Sequence, residues 1–200
     1  LNLPSADKMV EPHFKMLWNE QIPKITHKDS NNKKSTIEVI AGNLSEKKAP
    51  LPPPDSWAAK PLNEVAIWNI HMDAGASFTL PKAGAGINRS IYFYNGDLLK
   101  LNGNDLKHYH SADVLAQEDI TLQAGSKTCK ILILQGKPIG EPVVQHGPFV
   151  MNTIEEINET YSEFQRTRFG GWPWPKYDNV HAASKGRFAK HADGRFEDLG

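Results

Sequence analysis

The stretch "EVAIWNIHM", residues 64–72, decides the fold class. It is rich in β-branched and aromatic residues and carries no helical repeat, so it reads as a strand. Strand-like runs then follow one another: "ASFTLP", "RSIYFYNG", "DLLKLNG", "LKHYHSA", "DITLQAG" and "KTCKILILQG". Glycines 75, 96, 103, 125 and 136 punctuate them. Short strands at roughly 8–12-residue spacing with turn signals predict a sandwich or barrel. "NGDLLKLNGND" reads as two tight turns around one strand, since Asn-Gly tolerates positive φ.

Upstream, "TIEVIAG" (36–42) reads as a further strand, and "THKDSNNKKS" (26–35) as a polar loop before it. "SEKKAPLPPPDSW" is a breaker region whose prolines cannot donate to a sheet ladder. Residues 1–24, with prolines at 4, 12 and 23, read as an irregular connector or the end of something else.

One helix is expected over about 154–168. Thr153 is a candidate N-cap, Glu156 completes a capping box, and Ile154, Ile157, Tyr161 and Phe164 form an apolar stripe. Arg166 and Arg168 fall in the last turn, and Gly170 is placed to end it. "FGGWPW" (169–174) is the exit. Its rings, Phe169, Trp172 and Trp174, are expected to dock on the outside of the barrel or on a neighbouring domain.

The bulk numbers bound the function. At 200 residues with 39% hydrophobic and 23% charged content, the chain can build a core. Lys+Arg and Asp+Glu are both 23, which leaves no global field for nucleic acid or an anionic membrane. No apolar run is long enough to span a bilayer, and "LNLPSADKMV" is no secretory leader. It also lacks an initiator Met, which suggests processing, truncation or an engineered boundary. The single cysteine, Cys129, excludes an internal disulfide, reads as a buried core thiol, and makes a reducing, cytoplasmic location the default.

The stretch "GKPIGEPVVQHGPFVMNTIEEI", the helix after it and "FGGWPW" resemble the C-terminal signature of the pirin family. The opening "LNLPSADKMVEPHFKMLWNEQIP" resembles the stretch leaving that family's first barrel, and "GRFAKHADG" resembles the end of bacterial members. The resemblance implies a bicupin, two β-barrels on one chain. Its non-haem iron, held by three histidines and a glutamate, lies in the first barrel. Bacterial members are often quercetin 2,3-dioxygenases, and the eukaryotic member is a nuclear transcriptional coregulator. Because the sequence begins after those ligands would occur, it is expected to be a C-terminal portion. Residues 1–24 would leave the absent N-terminal barrel, 25–150 would form an antiparallel cupin (jelly-roll) barrel, and 151–200 would supply the helix and an irregular tail.

Such a frame predicts where a second metal site would fall. The first cupin motif, G-x5-H-x-H-x3-4-E-x6-G, ends at Gly96 after "IYFYNG". Its glutamate position is then Arg89, its histidines fall among Lys82, Ala83, Gly84 and Ala85, and Gly75 leads it. The second motif, P-x-G-x-x-H, falls on "QAGSKT", with Gln123, Gly125 and Thr128. No imidazole or carboxylate stands at any ligand position, and Arg89 puts a fixed cation where the carboxylate belongs. No catalytic, cofactor or metal residue is therefore assigned, and iron is expected only in the N-terminal barrel.

Rival chemistry is thin. "KHYH" would put His108 and His110 on one strand face, a possible half-site. Asp113 and Glu118 follow at no tight ligand spacing, however, and a solvated or hydrogen-bonded histidine pair is favoured. His71, His146, His181 and His191 stand alone. "HGPF" (146–149) reads as a turn, "KAGAGINRS" as a loop without a phosphate-binding context, and "KHADGRFEDLG" as no calcium loop. Three functions stay open. The chain is the non-catalytic half of a flavonol dioxygenase, or a protein-interaction module, or a metal-free small-molecule cupin. The expected partner is the N-terminal barrel or a second copy, through residues 1–24 and 169–174.

Overall fold

A computed structural model describes residues 2–172, 174–177, 181–191 and 193–200. Leu1 of the opening segment, Pro173 of the aromatic exit and Ala192 of the tail lie outside the described residues. The chain divides into two compact units, Leu1–Gly140 and Glu141–Gly200.

The first unit is built of β-strands. They are β1 (Lys24–Lys28), β2 (Lys34–Ala41), β3 (Asn43–Leu44), β4 (Lys47–Lys48), β5 (Ala66–Met72), β6 (Ser77–Leu80), β7 (Asn88–Asn95), β8 (Leu98–Leu101), β9 (Asn104–Lys107), β10 (His110–Leu115), β11 (Ile120–Ala124) and β12 (Cys129–Gly136). Six make one sheet in the order β1-β2-β5-β12-β7-β10, and four make another, β6-β11-β8-β9. Every pairing within the two sheets is antiparallel.

Period-two burial explains why these segments are strands. Ala66, Trp68, Ile70 and Met72 of β5 point inward, as do Cys129, Ile131 and Ile133 of β12. Phe78, Leu80, Leu99, Ile120 and Leu122 of the smaller sheet join the same core. One apolar cluster thus lies between two antiparallel sheets, which are not closed into a barrel. Cys129 is fully buried, as expected, and burial pushes its thiol up in pKa.

Two expectations change here. The polar loop 26–35 begins inside β1, a half-exposed edge strand whose "KITHK" has too little apolar content to register. The turn after it is tied by Asp29, whose Oδ1 accepts the Asn31 and Lys33 amides at 2.9 Å each. "LKHYHSA" is not one strand but the end of β9, a turn and the start of β10. Tyr109 sits in the left-handed region at φ 58° and reverses the chain.

The second unit opens with a hairpin, β13 (Val144–His146) and β14 (Phe149–Met151), turned at Gly147, where φ is 55°. Helix α1 follows at Ile154–Thr167 with its capping box formed: Glu156 N donates to Thr153 Oγ1 at 3.2 Å, and Thr153 N donates to Glu156 Oε2 at 3.0 Å. Of the expected stripe, Ile157 is buried, and Tyr161 and Phe164 pack edge-on or tilted against Phe149. Ile154, in the first turn, is exposed instead. The helix ends where expected, with Arg168 as its cap after Thr167, but Arg168 and not Gly170 makes the left-handed stop. Arg168 adopts φ 54°, its cap N–H reaches Phe164 O, and its guanidinium lies 5.5 Å over the Phe164 ring.

The contacts described for the exit rings are local. Phe169 packs against Phe164 at 5.2 Å, Trp172 stacks on Tyr177 and donates to Lys176 O at 2.6 Å, and Lys190 sits over Trp174. The tail, expected irregular, carries a hairpin of β15 (Phe188–Lys190) and β16 (Phe196–Asp198). His191 beside it is buried. Arg195 Nη2 approaches its Nδ1 at 2.9 Å and Glu197 Oε1 its Nε2 at 2.6 Å. Since a guanidinium only donates, Nδ1 accepts and the Nε2 proton points at Glu197.

Candidate functional site

The inner face of the larger sheet ends in a polar layer. Ala66 of β5, Gln135 of β12 and Arg89 of β7 are cross-strand neighbours. One layer deeper, the same register places Trp68, Ile133 and Ile91 side by side. Strand alternation therefore turns Arg89 inward, where only 2% of it is exposed. A buried guanidinium is costly unless its donors are met. Nε and Nη2 both donate to Gln135 Oε1, at 2.8 and 2.6 Å, and Nη2 also donates to Pro81 O at 2.8 Å.

Gln135 in turn donates through Nε2 to Glu64 O at 3.0 Å. Glu64, left-handed at φ 43°, closes the network: its two carboxylate oxygens accept the Gly84 amide at 3.1 and 3.0 Å. A Cβ at residue 84 would meet Glu64 Oε1, so any larger residue there would push the Glu64 side chain off the amide. Burial pushes the Arg89 guanidinium down in pKa, while Asp119 and Glu64 pull it back up.

A cavity of about 380 Å³ opens beside this layer. Arg89, Gln135, Trp68 and Glu64 line it, and so do the 42–52 and 58–61 loops, including the proline-rich stretch. Those prolines make a wall of fixed φ, so the sequence that breaks strands also stiffens the cavity. Two donors here have no partner among the described residues: Arg89 Nη1 and Trp68 Nε1 are both buried and unbonded.

Arg89 thus stands buried at the position expected for a ligating carboxylate. Pro81 O and residues 82–84 lie beside it through Glu64 and Arg89 itself. The nearby ends of β6 and β11 present a buried Leu80–Ile120 pair. A cation, an amide already committed to it and apolar side chains do not fit a ferrous ion. Thr128, by contrast, is not brought here. It precedes β12 at the end away from Gln135, about 23 Å along the strand at 3.3 Å per residue. Gln123, paired with Ser77 and Lys100, ends β11 on that same side, and Gly125 follows it. "QAGSKT" is the end of β11 and the turn into β12; it meets the first motif at Gly75, whose amide donates to Gly125 O at 2.7 Å, and Thr128 is not brought to Arg89.

His108 and His110 are separated by the Tyr109 turn and share no strand face. His110 Nδ1 lies 3.0 Å from His108 O, and the His108 ring packs on Phe93 and Tyr109. Among the described residues, no group of three or more His, Cys, Asp or Glu could hold a metal ion. His146 packs edge-on against Tyr161, and His181 packs on Phe188.

Sequence reasoning missed Gln135, Glu64 and Trp68. A signal existed for two of them. Counting by twos from Cys129 puts Gln135 on the inward face, and counting back by twos from Met72 does the same for Trp68. On the outer face of the sheet a second cleft is lined by Glu38, Asn69, His71 and Tyr94. Asn69 Nδ2 donates to Glu38 Oε2 at 2.9 Å and Tyr94 Oη donates to Asn69 Oδ1 at 2.8 Å. The Asn69 bond holds the Glu38 carboxyl below its ordinary value.

Residues 67–170, about half of the chain, match the family model described as the pirin C-terminal cupin domain. The chain is 34% identical to rat pirin over 176 residues, and 33% identical to human pirin over 177 residues. Both alignments cover 85% of this chain and 55% of the relative, so the chain spans about half the length of the curated relatives it matches. A crystal structure of quercetin 2,3-dioxygenase from Acinetobacter baumannii superposes with a TM-score of 0.68 at 28% identity, covering 86% of this chain and 55% of that one.

Proposed function

Since the chain belongs to the pirin family through its C-terminal cupin domain, we propose that it is the metal-free cupin half of a pirin-like protein. The complete form would be a non-haem iron dioxygenase acting on flavonols such as quercetin. The observation that carries the metal-free assignment is Arg89, buried and hydrogen-bonded twice to Gln135, at the position where the motif count expects a ligating carboxylate. The dioxygenase reading is supported by the likeness to the Acinetobacter enzyme. We read the six- and four-stranded sheets as the two leaves of a jelly-roll barrel.

In this reading iron, oxygen and flavonol meet in the N-terminal barrel, and the site for them is not made by these residues. This half supplies a wall and an interface. Met9, Phe14, Met16 and Leu17 leave apolar surface exposed in the opening segment, which suits contact with that barrel. A cytoplasmic location accords with a lone buried thiol.

The test is to purify the chain alone and joined to a pirin N-terminal barrel. Iron by elemental analysis and flavonol loss by absorbance should appear only in the joined form. Stoichiometric iron in the chain alone would refute the metal-free assignment. Absent turnover in an iron-loaded joined form would refute the dioxygenase reading.

A further inference from the structure

We propose that the cavity beside Arg89 binds a small carboxylate with an apolar body, held by Arg89 Nη1 and Trp68 Nε1. Three observations converge on this. Both nitrogens are buried just behind the cavity surface, lack any partner among the described residues, and belong to side chains lining one cavity. Unbonded buried donors are rare in folded proteins and call for an acceptor. The remaining Arg89 donors are already fixed by Gln135 and Pro81 O, so the guanidinium plane is preorganised with one amino group to spare. The volume, about 380 Å³, lies in the range of small-ligand pockets.

Charge and shape select the ligand class. Lys48, Lys60, Lys82 and Arg89 line the cavity against one acid, Glu64. The Glu64 carboxylate is engaged by the Gly84 amide, and Lys60 is paired with Asp7 at 2.7 Å. The remaining cationic lining favours an anion. Leu44, Val65, the Trp68 indole and the proline-rich loop supply an apolar wall, which favours a hydrocarbon or aromatic body over a bare inorganic ion. A carboxylate offers two acceptor oxygens to two donors, and Arg pairs with that group in a planar geometry.

Benzoate is the probe, and benzyl alcohol is its neutral counterpart. Titration of the folded chain is followed by the indole N–H resonance of Trp68 and by calorimetry. Benzoate should shift that resonance saturably and bind about 10- to 100-fold more tightly than benzyl alcohol, the worth of a hydrogen-bonded charge. Arg89→Met should remove the preference for benzoate. Trp68→Phe, which keeps a ring but loses the donor, should weaken benzoate severalfold. If Arg89→Met does not fold, the benzyl alcohol comparison and Trp68→Phe still decide. Equal affinity for the two probes, no saturable binding up to roughly 10 mM, or unchanged benzoate binding in either folded variant would overturn the proposal. So would a crystal structure in which an ordered water alone joins Nη1 and Nε1 and persists in saturating benzoate.

Discussion

Arg89 and Gln135 face each other across β7 and β12, and one amide oxygen, Gln135 Oε1, takes two guanidinium hydrogen bonds at 2.8 and 2.6 Å. The pair is buried unequally, so its two members should respond differently to replacement. Gln135→Leu strands two Arg89 donors in the core and should cost about 3 kcal/mol. Arg89→Met removes the charge itself and should be near neutral or stabilising. Urea denaturation of both variants and of the double variant tests this. The double variant should be much closer to Arg89→Met than to Gln135→Leu.

Asp97 makes the structure sensitive to acid. Its carboxylate accepts the Ser126 hydroxyl at 2.6 Å and the Leu98 and Lys127 amides at 2.9 and 3.2 Å. The Ser126 bond, helped by those amides, lowers its pKa from 3.8 to about 2. A carboxyl depressed in the folded state adds stability above its ordinary value and loses it as pH falls through the folded one. The melting temperature should therefore drop between pH 3.8 and about 2 by more in the native chain than in Asp97→Asn. Parallel curves would show that Asp97 is not the group responsible.

The opening segment should behave in two parts. Trp18 is buried, so Trp18→Ser should destabilise the chain by about 3 kcal/mol, as loss of a core ring does. Phe14 and Leu17 are exposed, so a Phe14→Ser/Leu17→Ser variant should keep its stability. Light scattering should find self-association in the native chain and less of it in that double variant. If both are monomeric at all concentrations, the exposed apolar surface is not adhesive.

The capping box offers a local test. Thr153→Ala removes the acceptor for Glu156 N and should cost about 1 kcal/mol, mostly as helix fraying. Hydrogen exchange should speed up at the first turn of α1 and leave β5 and β12 unchanged.

What could be read from the sequence was what period and punctuation encode. The strands of the core announced themselves through alternation, and α1 through Thr153 and Glu156. β1 escaped because "KITHK" alternates between half-buried and exposed, with hardly any apolar signal. "KHYH" misled because a tight turn at Tyr109 needs no glycine when φ of 58° is held by flanking strands. Arg168 likewise took the left-handed cap that Gly170 was expected to supply. The candidate site was half visible. Arg89 could be placed by counting back from Gly96, but its partners depend on sheet register. Gln135 and Glu64 are 71 residues apart in sequence and meet only through folding.

Cys129 has a practical consequence. Its sulfur is sealed against Leu98 O and Lys127 O, and Gly96 leaves it just enough room, since a Cβ there would lie 2.8 Å from Sγ. Being the chain's one thiol and fully buried, it is silent to alkylating reagents while β12 stays paired. The native molecule thus carries an internal clock. The rate at which a reagent captures Cys129 counts the openings of the central strand, and a cysteine introduced on the surface, at Ser30 for instance, would take up a spectroscopic label without interference from it.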